Sequence, residues 1–441
     1  MAIKHKGKLH YAYVILLSIA LQKFIVCAEN TTSGLFLLPV TTALGISQGS
    51  YMLYQTVQYA VMALASMIMP RLTARFRYTT LNKIGLLCMF CGLTCMSRAQ
   101  NVYLFYLAGF LDGLGLVVCN LLLMGTLIPR WFRNRMGVMM ATVTLLSTLP
   151  AMVLSPVVSH LLDLPSVLGM ESWRGTYLLL SLLPVTVGLV NAFFVLRERP
   201  SDMGLQPCSE DSQVPAEAVG QAVLRVGVSR RVAMRTTPGL LLVLALILWN
   251  VIPTINPYLA SYAATTPAAA SAGFDLKGFI GAAVSVGSLT GAYLIGLAND
   301  HFGAKGGVVI GCASGALGTA AILLGDRSGI VILLGVALLG VYISLANVQL
   351  PVMLTDMYGS LDYDKLFPLF TSFGSWFGAF SASFWGLLHD VTGGYTAMLS
   401  IGVAACALAG VLGLLAVQRS KRLWKNAESE ASDGNALGCS E

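Results

Sequence analysis

Lys23, Glu29 and Asn30 lie inside one apolar stretch, "YAYVILLSIALQKFIVCAENTTSGLFLLPV", residues 11–40. Ammonium and carboxylate groups are costly in hydrocarbon unless they face water, a partner or a ligand. At about 100° per residue along a helix, Lys23 and Asn30 share a face and Glu29 points about 120° away. A direct Lys23–Glu29 pair is therefore not expected, and Glu29 is placed toward the outer end, at a gate. Lys23 suits an anionic ligand; the competing readings are that it snorkels to the interface or pairs with Asp112. Asp112 sits between glycines in "GFLDGLG". It and Glu29 are the candidates for carrying a proton, because a carboxylate taken out of water readily accepts one. An inert, structurally paired carboxylate is the alternative for each.

Neutral polar groups recur in three further apolar stretches: Asn120, then Asn250 and Asn256, then Asn347 and Gln349. The second of these reads "WNVIPTINPYLASY". Pro253 and Pro257 each remove a helix hydrogen bond, which predicts a kink or break that frees carbonyls beside Asn250 and Asn256. Trp249 and Tyr258 are expected to wall a cavity there. Pro351 predicts the same near Asn347 and Gln349. A purely structural kink is the competing reading at both places.

These residues need membrane-spanning elements to hold them. The chain has 441 residues, 56% hydrophobic and only 11% charged, with mean hydropathy +0.75. A water-soluble domain of this composition could not cover its surface. Apolar runs long enough to span a bilayer fall at 11–39, 48–69, 81–97, 102–128, 136–161, 174–196, 239–262, 277–298, 306–324, 329–354, 367–388 and 394–417. This predicts an all-α membrane protein with twelve transmembrane helices. The polar residues concentrate in spans 1, 4, 7 and 10, whereas spans 3, 6, 9 and 12 are nearly bare, with Asn191 the main exception. That distribution implies one shared polar lumen.

The cations give the topology. One set of loops holds only Arg98, Arg174, Lys277 and Arg327, and nearly all other Lys and Arg residues lie in the termini and the opposite loops. Both termini and the central linker are thus expected in the cytoplasm of a cell carrying this protein in its plasma membrane. The net charge of +7 is then a topology signal near anionic lipid, not a nucleic-acid footprint. Cys88, Cys91 and Cys95 lie in one apolar run without a neighbouring His or carboxylate. They read as small packing residues, and neither a metal site, a disulfide framework nor any cofactor is expected.

The two halves look related. Phe76 and Gly85 align with Phe302 and Gly311 at one offset, and Asp163 with Asp390 at an offset longer by one. A duplicated six-helix unit explains this. The expected organisation is an N-terminal bundle 1–196, a polar cytoplasmic linker 197–237, a C-terminal bundle 238–418 and a cytoplasmic tail 419–441, disordered from Ser420. Small pairs such as Gly287/Gly291 and Gly374/Gly378 are expected to pack helices.

"GLANDHFGAK", with Gly296, Asp300, Phe302 and Gly303, resembles the signature loop of the major facilitator superfamily. "SWRGTY" (Ser172–Tyr177) resembles that family's start of the sixth span. "PRWFRNRMGVMMA" (Pro129–Ala141) and "RPSDMGLQP" (Arg199–Pro207) resemble the branch of oxalate/formate antiporters and monocarboxylate transporters. The resemblance covers about residues 10–418. It implies two pseudo-symmetric six-helix bundles whose spans 1, 4, 7 and 10 line a central cavity, and a cytoplasmic gate at Gly296, Asp300 and Gly303 with Arg75 keeping the basic part of the first-half counterpart. The chain departs from the family at Pro70 and Ala74, which replace the glycine and aspartate of that counterpart, and at Gly109, which stands where an arginine is usual. Spans 8 and 11 lack the cations typical of the branch, beyond Lys277 at an edge.

The first functional reading is a secondary transporter of a small organic anion, a carboxylate, working by alternating access and coupled to protons or by exchange. It would bind through Lys23, Asn30, Asn120, Trp249, Asn250, Asn256, Tyr258, Asn347 and Gln349. The alternative is a transporter of a neutral or cationic solute in the same fold, with Lys23 paired to a carboxylate. A phosphate-binding G-x-x-x-x-G-K-[ST] loop, a soluble catalytic domain and a metal-ligand set are all missing from the sequence, which argues against a pump or enzyme. A monomer whose partners are solute, protons and lipid is expected.

Overall fold

The computed structural model describes residues 11–132, 139, 142–143, 146–206, 230–325, 327–359 and 362–436. The start of the expected fifth span, most of "PRWFRNRMGVMMA", the greater part of the linker and the last five residues lie outside the described residues. The described chain is helical, with an isolated bridge between Val167 and Met170 and no strand among the described residues.

The helices are α1 (Tyr11–Leu44), α2 (Gln48–Arg75), α3 (Tyr78–Ser97), α4 (Val102–Leu116), α5 (Leu149–Asp163), α6 (Ser172–Leu183), α7 (Thr237–Val251), α8 (Leu276–Phe302), α9 (Ala304–Leu324), α10 (Gly329–Ile343), α11 (Tyr363–Thr392) and α12 (Thr396–Ala436). Several continue through a change of winding. A π-helical turn at Val117–Leu122 joins α4 to Leu123–Trp131, and π turns at Pro184–Leu189 and Asn191–Val195 extend α6. A 3₁₀ turn at Ile252–Ile255 joins α7 to Asn256–Thr265. Leu345–Tyr358 follows α10 after Ser344.

Local sequence sets the ends. Gly45, at φ +63°, closes α1 in the left-handed region that glycine enters without a Cβ penalty. Ser47, Asn101 and Asp275 cap α2, α4 and α8 by accepting the backbone N–H of Ser50, Leu104 and Gly278. Ten of the described helical segments are long and apolar enough to cross a bilayer, and Leu149–Asp163 is a shorter apolar helix. Tyr363–Thr392 has the length but is interrupted by Ser, Gly and Trp. Together they make the twelve-helix membrane architecture. The last helix runs to Ala436, so the tail expected to be disordered from Ser420 is helical for four more turns. Its Lys, Leu, Ala and Glu residues extend a helix already nucleated inside the bundle.

Two compact units divide the chain, Met1–Ala216 and Glu217–Glu441. In the first, α1 packs on α5, α2 on α4, and α3 on both α4 and α6. In the second, α7 packs on α11, α8 on α10, and α9 on both α10 and α12. The pairings repeat helix for helix, as a duplicated unit requires.

Glycines set the closest approaches. A Cβ on Gly109 of α4 would strike the Tyr54 carbonyl of α2, and one on Gly113 would lie 2.5 Å from the Gln58 carbonyl. Gly109 therefore occupies a backbone contact that leaves no room for the arginine usual at this place. In the second unit, Gly287 and Gly291 of α8 seat in the same way on Ala337 and Val341 of α10. Gly374 and Gly378 of α11 close on Asn250 of α7. Such small-residue seams bring membrane helices together where lipid offers no hydrophobic drive.

Candidate functional site

The buried charged groups of the first unit, Lys23, Glu29 and Asp112, sit in different surroundings. Lys23, on α1 and 9% exposed, donates to the Oδ1 of Asn120. Asn120 lies in the π-helical turn after α4, a rare winding that often marks functional positions. The widened turn presents an amide where an unbroken helix would place it differently. No carboxylate among the described residues lies within ion-pairing distance of Lys23, and Asp112 is not its partner.

Glu29 is buried halfway along α1, not at its outer end. It faces α2, where Tyr54 Oη donates to one carboxylate oxygen at 3.1 Å and Gln58 Nε2 to the other at 3.3 Å. Aromatic packing steadies these donors. Tyr51 Oη lies 2.7 Å from Tyr177 Oη, and Tyr177 stacks on Phe36 with centroids 3.9 Å apart. Gln55 Nε2 donates to Ser33 Oγ at 3.0 Å. The Asn30 side chain, one residue on, accepts a long bond from Tyr59 Oη at 3.4 Å and is half-buried.

Asp112 is buried against α3 beside Gly92, where a Cβ would come within 2.8 Å of its Oδ1. Neither of its oxygens has a hydrogen-bond partner among the described residues. The two buried carboxylates are thus held in opposite ways, one clasped by two donors and one enclosed without any.

A third polar group was missed in the sequence. Gln22 Nε2 donates to Asn82 Oδ1 of α3 at 3.2 Å, Asn191 Nδ2 donates to Gln22 Oε1 at 3.3 Å, and Ser18 Oγ donates to Asn191 Oδ1 at 2.7 Å. This chain ties α1, α3 and the π-wound end of α6, and all four side chains are buried. Its signal was present: Asn82 is the one amide of span 3, as Asn191 is of span 6. The missed partners of Glu29 were likewise visible in "YQTVQY", residues 54–59, which repeats Tyr and Gln along span 2.

In the second unit the break in α7 falls at Pro253, as its two prolines predict. Asn250 turns back to its own helix, donating to the Leu246 carbonyl at 2.9 Å, and Asn256 is half-buried at the start of the next segment. Trp249 and Tyr258 are fully buried. Trp249 packs toward Gly413 of α12, and Tyr258 Oη donates to the Ala382 carbonyl at 2.5 Å. The span holding α10 is interrupted at Ser344, whereas Pro351 sits inside the segment that follows. Its ring removes the donor to the Asn347 carbonyl, and the Asn347 side chain is exposed. Gln349 is fully buried: Nε2 donates to the Ala304 carbonyl at 2.6 Å, and Oε1 accepts from Asn299 Nδ2 at 3.0 Å.

A sequence model of the Major Facilitator Superfamily matches residues 19–359. The chain belongs to the Major Facilitator Superfamily. Solved structures of the fold agree. A point mutant of the nucleoside transporter NupG is similar over 93% of this chain and 99% of its own, with TM-score 0.71 and 12% identity. A bacterial homologue of the human lysosomal transporter Spinster, in an inward-facing, unoccupied conformation, is similar over 94% of this chain and 95% of its own, with TM-score 0.62 and 12% identity. No protein of curated function matches the sequence. At such identities the likeness is one of fold, and with the family it makes the chain a multi-pass membrane transporter that binds small solutes.

The superfamily's signature loop closes α8. Gly303, at φ +67°, ends that helix and starts α9, and Asp300 is exposed beside it. One residue before Asp300, Asn299 makes the bond to Gln349. A Cβ on Gly307 would strike both amide oxygens, so the amide pair is locked against the start of α9. Arg75, at the end of α2, is exposed and lies 6.0 Å from the Phe76 ring centroid.

Proposed function

We propose that this transporter moves a small organic anion by alternating access, coupled to protons or by exchange. The reading is carried by one observation: Lys23 is a nearly buried cation whose one hydrogen-bond partner among the described residues is a neutral amide. A buried ammonium lacking a counter-charge is costly, and an anionic ligand would supply one. A carboxylate would complete the site between Lys23 and Asn120, with Asn30 on the same face of α1. Glu29, separated from Lys23 and hydrogen-bonded to Tyr54 and Gln58, is the candidate to exchange a proton during the cycle.

The test is uptake of labelled mono- and dicarboxylates into proteoliposomes. Replacing one partner of a desolvated charge pair costs about 2–5 kcal/mol. Lys23→Gln is therefore expected to lower kcat/KM for the anion roughly thirtyfold or more while the protein stays folded. Anion uptake unchanged in that variant overturns the proposal. A neutral solute is the second reading, favoured by the missing cations between residues 367 and 388 and in α8 beyond Lys277. It predicts that nucleosides or sugars compete for uptake and carboxylates do not.

A further inference from the structure

A second site lies in the first unit, away from Lys23. The turn between α2 and α3, the start of α3, the end of the α6 span and the segment after it enclose a cavity of about 530 Å³. Arg77, Lys83 and Arg197 line it, and its apolar wall is Phe193 with Leu196. We propose that this cavity binds the headgroup of an anionic phospholipid.

Charge supports this first. Two carboxylates also border the cavity. Glu198 is neutralised by Arg130, whose Nη1 lies 2.5 Å from Glu198 Oε1, which leaves Asp202 against three cations. The Lys83 ammonium stands 3.7 Å from the centroid of the Phe193 ring, a contact that positions the charge without cancelling it. Arg197 gives one long bond to the Phe194 carbonyl, at 3.5 Å, and its other donors have no partner among the described residues. The wall is also rigid. Trp131 Nε1 donates to the Arg197 carbonyl at 3.0 Å, and Tyr11 Oη to the Val195 carbonyl at 3.0 Å.

Position favours lipid over a soluble phosphate. Phe193 is 52% and Phe194 72% exposed, so the apolar face of a membrane span runs directly into the cationic mouth. Acyl chains would lie along the rings while the phosphate meets Arg77, Lys83 and Arg197. The cation asymmetry of the loops assigns this end to the cytoplasm, the leaflet richest in anionic lipid. A bound headgroup would tie together the α2–α3 turn and the end of α6.

Purified full-length protein in neutral detergent is titrated with phosphatidylglycerol, with phosphatidylcholine of the same chains, and with glycerol 3-phosphate. Melting temperature and native mass-spectrometric adducts are read. Phosphatidylglycerol is expected to raise the melting temperature and to form discrete adducts; the other two are not. Arg77→Gln/Arg197→Gln is expected to weaken the lipid roughly thirtyfold, and Lys83→Gln alone about fivefold; the single variant suffices should the double one not fold. Equal response to phosphatidylcholine, or undiminished phosphatidylglycerol binding in the variants, overturns the site. An equal response to glycerol 3-phosphate overturns its assignment to lipid.

Discussion

The two six-helix units share a packing plan and differ in chemistry. α2 meets α4 through Gly109 and Gly113, and α8 meets α10 through Gly287 and Gly291. Yet the buried lysine and carboxylates of the spans, Lys23, Glu29 and Asp112, all belong to the first unit among the described residues. The second unit offers neutral amides and hydroxyls instead: Asn299 with Gln349, and Thr254 with Ser381 and Trp385. Backbone-level contacts are constrained in both copies because they set helix spacing. Side chains that face a solute or proton are free to diverge, so a duplicated scaffold becomes chemically one-sided.

The sharpest test of the shared plan is steric. Gly109→Leu and Gly287→Leu each drive a side chain into a facing backbone carbonyl, which cannot retreat as a side-chain end can. Overpacking costs about 1–3 kcal/mol and more where backbone must move. Both variants are expected to lose the monodisperse peak in size-exclusion chromatography, and to a similar degree. Normal behaviour of one alone would show that the two seams are not equivalent.

The chemical asymmetry predicts a smaller, one-sided effect. Glu29→Ala strands the Tyr54 hydroxyl and the Gln58 amide in a buried seam, at a cost of about 1–3 kcal/mol. Glu29→Gln keeps an acceptor and is expected to melt within a few degrees of the parent while losing proton-dependent uptake. Asp112→Asn removes no hydrogen bond, since the carboxylate makes none among the described residues. Its melting temperature is expected to match or exceed the parent's. A drop as large as that of Glu29→Ala would give Asp112 a structural partner.

How much of this was legible beforehand depended on what residue type alone can convey. Twelve spans, the α7 break at Pro253 and the polarity of span 1 follow from hydropathy, proline geometry and the cost of buried charge. Orientation does not. Lipid tails are as apolar as a protein core, so the periodicity that marks an inner face in a soluble helix is nearly erased. Asn347 and Gln349 stand two residues apart, both amides; one is exposed and the other is locked between Asn299 and Ala304. Trp249 and Tyr258, expected to wall a cavity, are fully buried against their own bundle. The Lys23–Asn120 bond depends on a π turn for which the sequence holds no proline or glycine cue.

The smallest expected effect falls in the second unit, at the Thr254 hydroxyl. It lies 2.7 Å from Ser381 Oγ and accepts from Trp385 Nε1 at 3.1 Å. Each partner has a second bond: Ser381 donates to the Gly378 carbonyl at 2.7 Å, and Trp385 Nε1 to the Val251 carbonyl at 3.2 Å. Thr254→Val conserves shape and strands neither group, so only a net hydrogen-bond term of about 0.5–1.5 kcal/mol is lost. Melting should fall by a few degrees, with transport retained. The contrast with Glu29→Ala is the informative quantity, because both changes sever contacts between neighbouring helices. A drop after Thr254→Val equal to that after Glu29→Ala would mean that the neutral network of the second unit constrains its helices as strongly as the charged seam of the first. Chemical one-sidedness would then carry no energetic counterpart.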